Sequence, residues 1–421
     1  MTILRKINYP VVAPSNSSEL IEQTRQVIHR IEESTIDAFS SIQFKPASLQ
    51  SEAMAEMLVM RPLTGLPVAI KEVIDVAGLP IGYGCDAFTD RIPNSSADIV
   101  NQLETMGAQV IGVTRSTEMA LARETTTCNP WSSSHSPGAS SSGSAAAVGA
   151  GLVPFALGTQ TIGSLIRPAA YCGVVGFKPS NGIGSLSGVL SLSHTLDHLG
   201  YFADSLERMT NTISILFPEL SSVSEADLRL VFVEPWFECQ ELEHFFVQTD
   251  VLKAACTKQG IEWSVRTLPE CVTAKENSLV NIILCFELFE TWGETLLDHS
   301  DVTEELNDFL HFGETITSEE YHEALGLRLN IIKQYHQDSA EGDIVVFPSV
   351  VGIPPKLGYG TGSRDPQRLW TLLGLPALNI PIGWDKNFPF NLQLIGRHGA
   401  DRELLEAGRA VSNLLEQATL Q

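Results

Sequence analysis

The chain has 421 residues, 43% of them hydrophobic and 18% charged, and its formal net charge is −23. This composition allows a large buried core, and no apolar run approaches the roughly 20 residues that a membrane-spanning helix needs. The acidic balance argues against a nucleic-acid partner, because phosphate binding needs clustered Lys and Arg.

The cysteine content and the N-terminus favour a cytoplasmic protein. The chain has seven cysteines, an odd number without paired spacing, and this predicts reduced thiols. The N-terminal segment contains a short apolar stretch interrupted by Pro10 and Pro14, and it lacks the apolar core of a signal peptide.

The first half of the chain contains two kinds of apolar pattern. Residues 17–57 are predicted to form one or two helices, because apolar side chains recur there at helical spacing. From Leu63 to Gly200, apolar strand-like runs alternate with small-residue helical stretches, as expected for an α/β sheet with helices on its faces. The strongest strand candidates are VAIKEVIDV (68–76), AQVIGVT (108–114) and LVPFALG (152–158).

Residues 206–340 are long, acidic and helix-rich, with one predicted strand in LRLVFVEP (228–235). Residues 201–340 hold 26 of the 50 acidic residues but only eight of the 27 Lys and Arg, and no Lys or Arg lies between Lys275 and Arg328. Two interpretations stay open. The acidic side chains form an ordinary solvated helical surface, or they form a cap that biases the substrate entrance against anions.

The C-terminal part returns to the pattern of buried strands. The runs DIVVFPSVV (343–351) and ALNIPIG (377–383) are predicted strands, and DRELLEAGRAVSNLLEQ (401–417) is predicted to form an amphipathic helix.

Lys71 ends the apolar run GLPVAIK, and apolar residues also follow it at Val73 and Ile74. A lysine at a strand end is usually a solvated cation. Burial among apolar groups would instead lower its pKa from the ordinary value near 10.4, because the charged form loses its hydration. A lysine that is neutral near pH 7 can accept a proton and act as a base.

Two serines, Ser140 and Ser164, lie in turns rich in glycine and serine. Such serines most often serve backbone geometry and local hydrogen bonding. Ser140 lies in PGASSSG, a loop that allows close approach of the backbone, and Ser164 ends GTQTIGS, in which two glycines permit unusual backbone angles. A turn of the second kind can direct successive backbone N–H groups at one point and so hold an oxyanion.

These motifs resemble those of the amidase signature family. The runs GASSSGSAAA, GTQTIGS and CGVVGFKPS occur in the family's order, and GLPVAIKEVIDVAG matches the segment that carries the family lysine. The resemblance continues through SHTLDHLGYFADS, RLWTLLGLPALNIP and NLQLIGRHGADRELL, and it covers roughly two-thirds of the chain.

The resemblance implies a catalytic triad of Lys71, Ser140 and Ser164. Ser140 matches the bridging serine, which often follows a cis peptide bond, and Ser164 matches the nucleophile. The oxyanion donors implied are four backbone N–H groups, those of Thr161, Ile162, Gly163 and Ser164.

The chain also departs from the family pattern around the nucleophile. Gln160 stands where many members have Asp, Ile162 where many have a second glycine, and Ile166 where many have arginine. This variant resembles the branch that contains hydrolases of small amides and urea derivatives. In some of those enzymes an arginine at the position of Arg167 binds a substrate carboxylate, and a structural ion pair is the alternative for Arg167. Gln160 is a second candidate substrate-binding residue.

The implied fold is one α/β domain over residues 1–421, built on a large twisted mixed β-sheet with helices on both faces. Residues 206–340 would form a divergent, acidic elaboration on the substrate side of that domain. The implied activity is hydrolysis of a linear carboxamide C–N bond through a seryl acyl-enzyme, with release of ammonia or an amine.

Two other functions stay open. One is the amidase subunit of a glutamine-dependent amidotransferase, and the other is a non-catalytic scaffold on the same fold. The expected ligand is a small amide, and the chain could form a homodimer or bind a small partner subunit.

No cofactor or metal is implied by the remaining motifs. The chain has no G-x-S-x-G elbow, and GIGSLSG (182–188) does not have the spacing of a dinucleotide-binding loop. His194 and His198 lack a third ligand nearby in the sequence, so two loop or core histidines are expected rather than a metal site.

Overall fold

The computed structural model describes residues 9, 14–43, 61–221, 228–237, 242–385 and 387–419. Eleven strands are present in these ranges: β1 Phe39–Ile42, β2 Pro67–Lys71, β3 Gln109–Thr114, β4 Phe155–Gln160, β5 Val175–Lys178, β6 His198–Ala203, β7 Arg229–Val233, β8 Glu262–Arg266, β9 Asp343–Pro348, β10 Ala377–Asp385 and β11 Phe388–Ile395.

The same ranges contain twelve α-helices: α1 Ser17–Glu32, α2 Asp98–Thr105, α3 Ser142–Gly149, α4 Ile166–Cys172, α5 Leu206–Leu216, α6 Glu243–Gln259, α7 Glu270–Thr273, α8 Glu276–Leu296, α9 Glu304–Thr315, α10 Ser318–Gln337, α11 Asp365–Leu372 and α12 Asp401–Thr419. Two short 3₁₀ helices, Asp86–Phe88 and Pro218–Ser221, are also present. None of the described helices is long and apolar enough to cross a membrane.

All eleven strands belong to one mixed sheet, in the order β1-β3-β2-β4-β6-β5-β10-β11-β9-β7-β8. Strands β3, β2 and β4 are parallel neighbours, as are β9, β7 and β8, and the strands between these two groups pair antiparallel. The predicted large mixed α/β sheet is therefore confirmed.

Both faces of the central sheet are covered. Successive side chains of a strand point to opposite faces, and every residue of β2, β4, β5 and β6 is buried. The neighbouring residues Leu378 and Asn379 of β10 show the two layers. Leu378 lies close to Gly408 of α12, whereas Asn379 lies on the side of Gly176, which packs against Ala169 of α4. Helices therefore flank the sheet on both sides.

The N-terminal prediction is met in part. Helix α1 occupies residues 17–32, the chain then enters strand β1, and residues 44–57 of the predicted helical region lie outside the described residues. Strand β2 ends at Lys71, whereas the strand-like run continues to residue 76 in the sequence. Residues 72–74 leave the sheet in a turn, in which the N–H of Ile74 donates to the Lys71 carbonyl at 2.9 Å.

The acidic region extends the sheet as well as adding helices. Strand β7 was predicted, but its parallel neighbour β8 was not. β8 is an edge strand whose residues are mostly exposed, so it lacks the buried apolar pattern by which strands are detected from a sequence. Helices α9 and α10 both pack on α8. The assignment of the whole chain to one domain stays a prediction.

Close packing of helix α3 depends on its small residues. All eight of its residues are buried, and the N–H of Gly143 donates to the Arg115 carbonyl at 3.0 Å. A Cβ at Gly143 would lie 2.6 Å from the backbone nitrogen of Arg115 and would overlap the carbonyl oxygen of Ala38. The helix that follows Ser140 can therefore approach the loops at the end of β3 only with glycine at this position.

We expect Gly143→Ala to lower the free energy of unfolding by about 1–3 kcal/mol, because the added methyl group meets backbone that cannot rotate away. The matched control is Gly326→Ala in α10, where no atom lies within 4 Å of the added Cβ. That change should raise stability by up to about 1 kcal/mol through helix propensity. Thermal and urea unfolding of both variants would measure the difference, and equal effects would contradict the packing argument.

Candidate active site

The Lys71 side chain is fully buried at the end of strand β2, and two hydroxyl groups contact its amine. Nζ lies 2.7 Å from Oγ of Ser140 and 2.8 Å from Oγ1 of Thr159. No ion pair to this amine occurs among the described residues. The strand register explains the contact with Thr159, because β2 and β4 are parallel neighbours and Thr159 lies near the end of β4.

Burial lowers the pKa of Lys71 from 10.5 to about 7, and the negative charge of the nearby Asp197 acts in the opposite direction. A substantial share of Lys71 is therefore neutral at pH 7. A neutral amine can accept the proton of the Ser140 hydroxyl, whereas an ammonium group cannot.

Ser140 follows a cis peptide bond, Ala139–Ser140. The carbonyl of Ala139 accepts a hydrogen bond from Nη2 of Arg167 at 2.8 Å, and the carbonyl of Gly138 accepts one from Oγ of Ser142 at 2.7 Å. Both carbonyls that precede Ser140 are thus held by buried side chains, so the backbone that carries the Ser140 hydroxyl is fixed.

The side chain of Gln160 holds the turn that carries Ser164. Its Oε1 accepts hydrogen bonds from the N–H groups of Leu165 (3.0 Å) and Ile166 (3.1 Å), and its Nε2 donates to Oγ1 of Thr371 at 2.9 Å. The Thr371 hydroxyl in turn donates to the carbonyl of Ile162 at 2.8 Å. The amide of Gln160 is therefore occupied with the turn itself, and Gln160 is not among the residues that line the cavity beside it.

The same turn is also tied to the loop before β6. Oγ1 of Thr161 donates to Oδ1 of Asp197 at 2.6 Å, and Oδ2 of Asp197 accepts from the N–H groups of Leu192 and Ser193 at 2.8 and 2.9 Å. Burial raises the pKa of Asp197 to about 6, and its hydrogen bonds act in the opposite direction. Among the described residues, we find no acceptor for the four backbone N–H groups from Thr161 to Ser164.

Ser140 and Ser164 open onto one cavity of about 280 Å³. Their loops are linked directly, because the N–H of Ser141 donates to the Ser164 carbonyl at 3.2 Å. Ser164 is half-buried, whereas Ser140 is buried. The lining also includes Thr161, Ile162, Ala139, Thr117, residues 120–124, Arg167, Glu305, Gly360, Thr361 and Arg364. The cavity thus brings together the predicted nucleophile, the predicted bridging serine and the predicted oxyanion turn.

Arg167 also lines this cavity, but both of its terminal nitrogens are engaged by backbone carbonyls. Nη1 donates to Gly362 at 2.5 Å and Nη2 to Ala139 at 2.8 Å. Within the described ranges the structure shows no ion pair to Arg167, which was one of the two sequence-based alternatives. Burial lowers the pKa of Arg167 to about 9, and the positive charge of Arg364 acts in the same direction.

The two histidines with four-residue spacing are not brought together as ligands. His198 is buried with Nδ1 2.6 Å from the Leu196 carbonyl, and His194 is exposed with Nε2 3.2 Å from Oε1 of Glu287. The described residues contain no group of three or more His, Cys, Asp and Glu that could hold a metal ion.

Comparisons with known proteins point to one family. The family model described as Amidase matches residues 22–228. A glutamyl-tRNA(Gln) amidotransferase subunit of Methanosarcina mazei is 27% identical over 92% of this chain and 92% of its own length, and the corresponding subunit from Chloroflexus aurantiacus is 27% identical over 95% and 94%. A crystal structure of an amidase superposes with a TM-score of 0.82 at 25% identity, covering 96% of each chain.

The chain is similar to the amidase family over this range. The resemblance drawn from the sequence motifs is thereby confirmed, and so is the amidase fold. The roles of individual residues are inferred from the geometry of this chain.

Four residues at the site were not indicated by the sequence motifs: Thr159, Asp197, Thr371 and Arg364. Asp197 and Thr371 lie inside SHTLDHLGYFADS and RLWTLLGLPALNIP, which resemble the family but gave no role for either residue. Thr159 lies in GTQTIGS, one position from Gln160. Nothing in the local sequence around Arg364 signals that its side chain reaches the cavity.

The depressed pKa of Lys71 predicts a pH-dependent stability difference that does not depend on catalysis. Between pH 7 and about 10.5 the unfolded chain keeps the lysine proton that the folded protein has released, so wild-type stability rises with pH in that window. Methionine does not titrate. We therefore expect the Tm of Lys71→Met minus the Tm of the wild type to be more positive at pH 6 than at pH 9.

The control for this measurement is Lys275→Met, because Lys275 is exposed next to the start of α8. Its Tm difference should stay the same at both pH values. A flat difference for Lys71→Met as well would mean that Lys71 keeps its proton in the folded protein up to pH 9.

Proposed function

We propose that the protein is an amidohydrolase that cleaves a linear carboxamide through a seryl acyl-enzyme. Lys71 is the base, Ser140 relays the proton, and Ser164 is the nucleophile. The backbone N–H groups from Thr161 to Ser164 form the oxyanion hole. The observation that carries this proposal is the 2.7 Å contact between the buried amine of Lys71 and Ser140, beside the cavity that Ser164 also lines.

The acylation step moves one proton along the triad. Neutral Lys71 takes the proton of Ser140, and Ser140 takes the proton of Ser164 as the Ser164 oxygen forms a bond to the amide carbon. The carbonyl oxygen becomes an oxyanion and accepts hydrogen bonds from the N–H groups of the turn. The proton then returns through Ser140 to the leaving nitrogen, the C–N bond breaks, and ammonia or an amine departs.

Deacylation repeats the same path with water. Water gives its proton through Ser140 to Lys71 as its oxygen attacks the ester carbon, and Ser164 regains the proton when the C–O bond breaks. The products are a carboxylic acid and the free enzyme. Every proton is supplied by the triad or by water, so the scheme needs no cofactor.

In this proposal Gln160 is a positioning residue, because its contacts with Leu165, Ile166 and Thr371 support a turn whose N–H groups must point at one oxygen. Arg167 has a comparable role towards Ser140 through the Ala139 carbonyl. Neither role requires direct contact with substrate.

A second candidate is the amidase subunit of an amidotransferase. Its support is that the relatives from Methanosarcina mazei and Chloroflexus aurantiacus are named as subunits of such an enzyme and match over nine-tenths of this chain. Both candidates use the same acyl-enzyme chemistry and differ in whether a partner protein receives the ammonia. Free ammonia released by the purified chain favours the stand-alone enzyme, and glutaminase activity that appears only with a copurifying subunit favours the second candidate.

A fluorophosphonate probe tests the nucleophile. We expect a single adduct on Ser164 by intact mass and peptide mapping, none on Ser164→Ala, and a strongly slowed reaction for Lys71→Ala because the base is lost. Ser133→Ala is the matched control, since Ser133 is exposed in the same serine-rich run. Ammonia release from simple amides should fall by more than about 10³-fold in Ser164→Ala, a larger loss than removal of one oxyanion donor.

Labelling of a different serine would contradict the assignment of the nucleophile. Folded wild-type protein that neither reacts with the probe nor releases ammonia would favour the scaffold alternative over an enzyme.

The pH profile tests Lys71 as the base. We expect kcat/KM to rise with pH through about 7 as Lys71 loses its proton. Because the charge of Asp197 stabilises protonated Lys71, Asp197→Asn should move this rise to lower pH, even though the lost hydrogen bonds to the turn reduce kcat. The control is Asp204→Asn, which removes a carboxylate paired with Arg208. A rise at unchanged pH in Asp197→Asn would exclude Lys71 as the titrating group.

A further inference from the structure

A second arginine, Arg364, reaches the cavity that contains Ser164. It immediately precedes helix α11 and is half-buried. Its backbone carbonyl accepts from the N–H groups of Gln367 (3.1 Å) and Arg368 (3.2 Å), so the main chain that carries it is part of the first turn of the helix. Arg364 is therefore anchored at its backbone while its side chain lines the cavity.

Of the residues that the structure describes, three arginines line this cavity, and two of them are engaged by the protein. Arg123 donates to both carboxylate oxygens of Asp86 and to the Gly84 carbonyl. Arg167 donates to two backbone carbonyls, as described above. For the guanidinium of Arg364 the described residues provide no hydrogen-bond acceptor and no carboxylate within ion-pair distance. Its donors are therefore available to a ligand.

The surroundings of Arg364 leave its positive charge incompletely balanced. Burial lowers the pKa of Arg364, the negative charge of Glu305 opposes that effect, and the positive charge of Arg368 reinforces it. An arginine nevertheless keeps its proton in proteins. The charge lies near Arg167, whose own pKa it lowers further. Two guanidinium groups therefore face one cavity, and no carboxylate among the described residues is bound directly to either of them. This arrangement favours the entry of an anion.

We propose that Arg364 binds a carboxylate of the substrate, so that the preferred substrates are amides that also carry one carboxylate group. This inference rests on the proposed amidohydrolase function and assigns the substrate class to it. A guanidinium presents a planar pair of donors that matches a carboxylate, and a charge-assisted bidentate contact fixes orientation as well as adding binding energy. The carboxylate end would be held at Arg364 while the amide carbonyl lies against Ser164.

Two carboxylates in the same cavity limit the charge of the substrate. Oε2 of Glu305 accepts from the N–H of Arg123 at 3.0 Å, and Oε2 of Glu124 accepts from the N–H of Gly358 at 3.1 Å, so both are fixed in place. They would repel a second negative group. The cavity therefore suits a monoanion rather than a dianion. Because Glu305 belongs to the acidic region of the chain, that region contributes to this selectivity.

The experiment compares each monoamide of malonic, succinic and glutaric acid with the corresponding neutral diamide. For the wild type we expect the best monoamide to exceed its diamide in kcat/KM. Arg364→Gln should lower this preference roughly 10- to 100-fold, the range of hydrogen bonds made by a charged group. Arg364→Lys should restore part of it, because the charge returns without the planar pair of donors.

The matched control is Arg368→Gln, because Arg368 lies one turn further along α11, pairs with Asp365 and does not line the cavity. Its preference should equal that of the wild type. An unchanged preference in Arg364→Gln would overturn the inference, and so would a loss confined to Arg167→Met, which would place the carboxylate at Arg167 instead.

A binding measurement separates this inference from the catalytic proposal. In Ser164→Ala, calorimetric titration with succinamate and with succinamide needs no turnover. Tighter binding of succinamate that disappears in Ser164→Ala/Arg364→Gln would support the carboxylate site even if no amide is hydrolysed. Equal binding of the two ligands in Ser164→Ala would overturn it even if hydrolysis is observed.

Discussion

A neutral Lys71 amine in contact with Ser140 requires a sheet interior from which water is excluded. The packing on both sides of strand β2 provides this environment. A lysine amine stays charged near pH 7 wherever water reaches it, because hydration of the ammonium group is strongly favourable. Here Nζ lies at the end of a strand that is buried on both sides, and its two short contacts are with uncharged hydroxyls. Asp197 is close enough to raise the pKa of Lys71, but burial has the larger effect.

The second requirement is that two separate loops meet with little freedom of movement. The Ser140 loop precedes helix α3 and the Ser164 turn precedes helix α4. Each is held by side chains from elsewhere, Arg167 for the first and Gln160 for the second. The loop before β6 adds a third support through Asp197. That loop is itself bound by the buried carboxylate of Glu287, which accepts from Ser193, Thr195 and Tyr321.

The contacts of Glu287 change the interpretation of the acidic region. Glu287 lies in α8 and Tyr321 in α10, so two helices of this region hold the loop that contacts the predicted oxyanion turn. In this respect the region acts as structural support and is more than a solvated surface. Its acidic side chains are nevertheless mostly exposed, and only Glu305 lines the cavity itself among the described residues of α9.

The predictable parts of the site are those encoded by local sequence. Lys71 stands out because a charged residue ends an apolar run, and Ser140 and Ser164 stand out because they lie in runs rich in glycine and serine that match family motifs. The alternation of strands and small-residue helices predicts an α/β sheet with helices on its faces, and the mixed pairing of the strands was implied by the resemblance to the amidase signature family. Contacts between segments that are distant in the sequence, such as the hydrogen bond between Gln160 and Thr371, were not predictable. Strand β8 was missed because an exposed edge strand has no apolar pattern.

Lys71 and Arg364 respond differently to the loss of hydration, for reasons of side-chain chemistry. A lysine amine that loses hydration releases its proton at moderate cost and becomes a base, whereas a guanidinium spreads its charge over three nitrogens and stays protonated when half-buried. Exchanging them would remove both properties, since arginine at position 71 could not accept a proton and lysine at position 364 would offer no planar pair of donors. A neutral lysine beneath Ser140 and a charged arginine in the cavity wall can therefore operate at the same pH.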